Sequence, residues 1–145
     1  SCSPSFNNPQ VEITKVRVVK ITSKAVVLEG TLDLYNPNDQ SLQFSGYEYT
    51  LVVENRKLVT GESKEPMEIA GLKHSTIVLP ATIRFEDLSA LLADDLLNRN
   101  ISYRLSGTVH FNHAFGTTPL SFSQEGTFNL SEVLKEKVRE LLSRW

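Results

Sequence analysis

The stretch that decides the fold reads Val26-Val27-Leu28-Glu29-Gly30-Thr31-Leu32-Asp33-Leu34-Tyr35-Asn36-Pro37-Asn38. Val26, Leu28, Gly30, Leu32 and Leu34 share one parity; Glu29, Thr31 and Asp33 share the other. Successive side chains of a strand point to opposite faces, so this is a strand buried on one side and wetted on the other. It stops at Asn36-Pro37-Asn38. Pro37 removes a backbone donor and pushes Asn36 out of the helical region, while Asn38 tolerates a left-handed backbone and can bond locally.

Reading outward, the same period recurs. Upstream, Val11 and Ile13 lie on one parity and Val16 and Val18 on the other, which predicts a bulge near Thr14–Lys15. Downstream, Tyr47, Tyr49, Leu51 and Val53 line one face of a hairpin strand, and Glu54-Asn55-Arg56-Lys57 forms the turn. Asn55 can supply the positive φ of a tight turn. Met67 and Ile69 mark a short strand ending at Gly71. Ile77, Leu79, Ala81, Ile83 and Phe85 mark a long one, and Pro80 within it requires a sheet edge or a bulge. Ile101, Tyr103, Leu105, Gly107, Val109 and Phe111 make the most regular alternation in the chain. Leu120, Phe122, Gly126 and Phe128 belong to the last strand, with His113 to Pro119 expected as the connecting loop.

The period changes twice. Leu88, Leu91, Leu92 and Leu96 fit one face of a short helix near 87–98. Leu134, Val138, Leu141, Leu142 and Trp145 form a narrow stripe on a C-terminal helix near 131–144, with Ser131 as the expected cap. Short strands with turn signals between them give an all-β fold with two helices, an antiparallel β-sandwich; a closed barrel is the alternative the pattern leaves open.

The 145 residues suit one domain, able to bury roughly 68–70% of its unfolded surface without disulfides. A single cysteine permits none within the chain. Fifteen basic residues against seventeen acidic ones argue against a nucleic-acid partner. No apolar run reaches the roughly 18–20 residues of a membrane span.

Catalytic signatures are absent from the sequence: no G-x-S-x-G elbow, P-loop, H-E-x-x-H or G-x-G-x-x-G. No catalytic residue, metal or cofactor is therefore expected. His110 and His113 are three apart, but on a strand and past its end they read as solvated side chains rather than ligands. Asp94-Asp95 diverge on a helix and read as a wetted face, and Tyr47 and Tyr49 read as core rings with their hydroxyls at the rim.

From Val26 through Ile83 the chain resembles the WHy domain (water stress and hypersensitive response), part of the second group of late embryogenesis abundant proteins. The resemblance rests on Val26-Val27-Leu28-Glu29-Gly30, then Leu32 through Asn38. It continues with Tyr49-Thr50-Leu51-Val52-Val53, Gly61 and Val78-Leu79-Pro80-Ala81-Thr82-Ile83. It implies an immunoglobulin-like or fibronectin-III-like sandwich without an active site, with Asn36, Pro37 and Asn38 as a structural family motif. It further implies a part in desiccation tolerance and in protecting other proteins. The expected organisation is a flexible tether at 1–9, a WHy-like sandwich at 10–130 and an amphipathic helix at 131–145.

The lead Ser1-Cys2-Ser3-Pro4-Ser5 resembles the start of a bacterial lipoprotein, with Cys2 as the lipid-bearing residue and Ser1 the last residue of a signal peptide. Ser3 after the cysteine favours, by analogy, the outer membrane, on the periplasmic side of the cell envelope. The expected function is non-enzymatic stress protection by a membrane-tethered lipoprotein, with labile client proteins or lipid as partners. The alternatives are a lipid-binding or lipid-transfer module and a protein-interaction sandwich that works through an exposed sheet edge.

Overall fold

The computed structural model describes residues 7–87, 99–113 and 116–143. Eight strands follow in order: β1 (Gln10–Ile21), β2 (Ala25–Tyr35), β3 (Leu42–Val53), β4 (Arg56–Ser63), β5 (Met67–Ile69), β6 (His74–Arg84), β7 (Asn100–His113) and β8 (Gly116–Asn129). A C-terminal helix, Leu130–Leu142, closes the chain. All strand pairs are antiparallel. One sheet has the order β1-β2-β6; the other has β4-β3-β7-β8, with β5 beside β3. Two open sheets face each other, so the sandwich is the fold and the barrel is set aside.

The inward parity of β2 is the core: Val26, Leu28, Leu32 and Leu34 are buried, facing Leu51, Leu105, Val109 and Phe111 of the other sheet. Gly30 belongs to this face because a side chain there would collide with Leu105 of β7. The parity change in β1 is a register break between Ile13 and Lys15, as its sequence predicts. A second break between Val18 and Lys20 was hidden, because consecutive valines mask a parity change. Pro80 lies on β6, a sheet edge.

Several local expectations are corrected. The β3–β4 turn is only Glu54-Asn55, both at positive φ (48° and 67°), so Arg56 and Lys57 already pair as strand. β3 starts at Leu42, five positions before the tyrosine pattern; a register break between Phe44 and Gly46 reverses the parity and concealed its first half. His113 and Gly116 to Pro119 are not loop, because β7 and β8 pair from His113↔Gly116 onward. The helix cap is Asn129, not Ser131: Asn129 Oδ1 accepts from the Glu132 N–H at 3.2 Å. Leu142, assigned to the helix's apolar stripe, is 66% exposed. Residues 85–87 are helical, and the rest of the helix expected near 87–98 lies outside the described residues, as do Cys2 and Asp94-Asp95.

Candidate functional site

Asn36 is a fully buried polar residue at the end of β2. Its side-chain amide donates to the carbonyls of Gln40 (2.8 Å), Ile69 (3.0 Å) and Ala70 (3.3 Å). Its Oδ1 accepts from the Asn38 backbone N–H at 3.0 Å and the Asn38 side-chain amide at 3.1 Å. Its main chain joins the turn before β6, donating to Lys73 O and accepting from the Leu72 N–H, both at 3.0 Å. One amide thus satisfies groups from the β2–β3 loop, the end of β5 and the next turn. Asparagine has both donor and acceptor capacity, which explains the residue type. Pro37 has no N–H with which to continue the β2 ladder, so pairing stops where the loop wraps this amide.

Asn38 extends the clasp. Its Oδ1 accepts from the Asn7 N–H and its Nδ2 donates to the Asn7 carbonyl, each at 2.8 Å. The segment just before β1 is therefore tied to the same end of the sandwich. The side-chain amides of Asn36 and Asn38 are engaged in holding two loops and the entering chain together. The motif's spacing marked it in the sequence, but partners 33 and 34 residues away did not.

Tyr49 is buried at 7% exposure, and its hydroxyl donates to Pro80 O of the opposite sheet at 2.7 Å. Burial, and secondarily the Tyr47 hydroxyl, pushes its pKa up. The ring covers Gly61 of β4, where any side chain would collide with it. The tyrosine pair packs on the core, as the sequence suggests, but the Tyr49 hydroxyl ties the two sheets together rather than standing free at the rim. The histidines have separate partners. His74 Nδ1 lies 2.9 Å from Asp33 Oδ2, His110 Nε2 lies 2.8 Å from Glu48 Oε1, and His113 Nε2 lies 2.6 Å from Thr118 Oγ1. The expectation of plainly solvated rings is replaced by cross-strand pairing.

The other notable feature was not legible in the sequence. Where β1 and β8 end their respective sheets, a groove of about 650 Å³ lies between β1, β8 and the C-terminal helix. Val16, Val18, Phe128 and Val133 give it apolar walls, and Lys15, Arg17 and Glu136 bring charge to it. Tyr103 also lines it, and burial raises the pKa of its hydroxyl.

The family profile of late embryogenesis abundant proteins (LEA_2) matches residues 31–126 of the 145. The chain belongs to this family. The match runs past Ile83, where the motif resemblance ends, through β7 and most of β8. Among solved structures, the sandwich is similar to the solution structure of a late embryogenesis abundant protein at 20% identity and a TM-score of 0.68, covering 83% of this chain and 70% of that one. It is similar to the solution structure of an Arabidopsis thaliana protein at 16% identity and a TM-score of 0.68, covering 89% and 88%. A crystal structure of an Archaeoglobus fulgidus protein matches at 15% identity and a TM-score of 0.61, covering 86% and 97%. At these identities the likenesses bear on fold alone. No curated protein matches the chain.

Proposed function

We propose that this late embryogenesis abundant protein is a WHy-type protector of other proteins during water stress, working without chemistry and tethered to a membrane through lipid on Cys2. The family match over residues 31–126 carries the reading. Two structural observations support it. The amides of the family motif are engaged in the motif's own hydrogen bonds, which suits an architectural role. The Asn7–Asn38 pair fixes the start of the sandwich at one end, so a lead from Cys2 would hold that end toward the bilayer. A bacterial envelope, on the periplasmic side of the outer membrane, suits the Ser1-Cys2-Ser3 lead.

Drying concentrates proteins and strips their water, so unfolded chains meet more often. A tethered sandwich that holds such chains weakly needs no catalytic residue. The test is aggregation of a drying-sensitive enzyme with and without the purified protein, in the absence of ATP. Protection at comparable mass ratios, beyond that given by an unrelated sandwich of similar size and charge, is expected. Cys2→Ser should protect equally in the tube and disappear from the membrane fraction of cells. Equal protection by the control would reduce the effect to crowding and overturn the reading.

A further inference from the structure

An exposed strand edge is a template for pairing, and proteins block such edges with bulges, basic side chains or proline. The outermost strands along the two sheets are β1, β6, β4 and β8. β1 has two register breaks and carries Lys15, Arg17 and Lys20. β4 begins with Arg56 and Lys57 and breaks register against β3. β6 carries Pro80. β8 differs. Its register against β7 is unbroken, its one proline, Pro119, lies near its start, and from Leu120 to Asn129 it has no lysine, arginine or proline.

The direction of its free groups follows from one residue pair. The Ser102 N–H donates to Glu54 Oε1 at 3.3 Å, and Ser102 O accepts from the Glu54 N–H at 3.0 Å. The backbone of Ser102 therefore faces away from β8. Opposed residues of an antiparallel ladder either exchange both bonds or both face outward. Thr127, opposite Ser102, must then direct its N–H and C=O to the open side. By alternation so do Glu125, Ser123 and Ser121. Among the described residues none of these groups has a main-chain hydrogen-bond partner from another element, although β1 comes within 8 Å of β8 between Cα atoms.

We infer that this edge of β8 binds an extended segment of an unfolding polypeptide by adding it as a further strand, with the groove beside Thr127 and Phe128 receiving its apolar side chains. The inference rests on the protective reading above and names where a client would be held. Unpaired N–H and C=O groups select a peptide over an acyl chain, since an acyl chain would cover them without bonding them. Lys15 and Arg17 border the groove from the outward face of β1, where Arg17 stands opposite Glu29 of β2, and Glu136 borders it from the helix, so the margin carries both signs of charge.

The probe is a short fluorescein-labelled peptide alternating valine and threonine, titrated with the full chain and followed by anisotropy. Saturable binding is expected. Thr127→Pro removes one outward donor and no ladder bond, so it should fold normally and weaken binding by roughly tenfold. The same peptide methylated at alternate backbone nitrogens should not bind to the unaltered protein, a result that does not depend on how any variant folds. Equal binding of the methylated peptide would overturn the inference. So would displacement of the peptide by oleate with Thr127→Pro indifferent, or a dimer by sedimentation that Thr127→Pro dissolves while the peptide fails to bind. Protection during drying without peptide binding would sink this inference and leave the protective reading standing; peptide binding without protection would do the reverse.

Discussion

β1 and β2 are neighbours in one sheet and both are rich in valine and isoleucine or leucine, yet they end in different environments. The inward residues of β2 are fully buried, while no residue of β1 is. Composition does not separate them; the opposite sheet does. β2 lies over β3 and β7, whose Leu51 and Leu105 reach its core face, whereas β1 overhangs the margin where β8 ends. Burial in a sandwich is thus assigned by what lies across the gap. A strand with core-like residues and only partial cover becomes one wall of a groove.

The largest expected effect breaks the anchored end of β2. Asn36→Ala takes the amide from the carbonyls of Gln40 and Ile69 and from the Asn38 N–H, while the Ala70 carbonyl keeps the Lys73 N–H at 3.3 Å. Each buried group left unpaired costs about 1–3 kcal/mol, so a total loss of about 3–5 kcal/mol is expected in urea denaturation. A loss below about 1 kcal/mol would mean that water replaces the amide and the clasp is not buried in solution. Leu105→Ala comes next. It empties the space above Gly30, and about 3 kcal/mol, mid-range for truncating a buried leucine, is expected by the same measurement.

These two residues also show what the sequence could reveal. Leu105 was legible because its environment follows from strand parity, a local rule. The strand at Asn36 was legible as a stop, but the amide's partners were not, because they depend on β5 and the next turn docking from far along the chain. The break near Thr14 could be read because Val16 follows Lys15; the one at Val19 could not, because Val18-Val19 keeps both faces apolar. The open margin was least legible of all. Which strands become edges is a property of sheet order, and the crossing of β6 back to β2 leaves no mark in the pattern of either strand.

Tyr49 tests the tie between the sheets on the covered side. Tyr49→Phe removes the bond to Pro80 and is expected to cost about 1 kcal/mol. The pH dependence is the sharper readout. The folded pKa is raised, mainly by burial, above the ordinary tyrosine value of 10.0. The unfolded chain therefore releases this proton first, and the folded state binds more protons above that pH. Stability is fully present below about pH 10 and falls as pH rises through the raised folded value. Thermal melts of Tyr49→Phe should fall less steeply between neutral and strongly alkaline pH than those of the parent. Parallel slopes would place the alkaline loss at another group.

The smallest expected signal compares β1 with β2 directly. Val26 is fully buried and Val18 half-buried, and both face inward from the same sheet. Val26→Ala removes methyl groups from a closed core, and at about 0.8 kcal/mol per buried carbon plus a cavity term it should cost about 2 kcal/mol. Val18→Ala removes the same atoms from the wall of a groove that solvent already reaches, so no sealed cavity forms and the cost should be about 1 kcal/mol or less. The difference, read from paired denaturation curves, measures how open the β1–β8 margin is in solution. Equal costs would mean that the margin closes over Val18, and the strand-adding edge proposed for β8 would then be covered as well. A larger cost at Val26 alone, with Val18→Ala weakening peptide binding at nearly unchanged stability, would separate the two strands by role: one builds the core and the other lines the site.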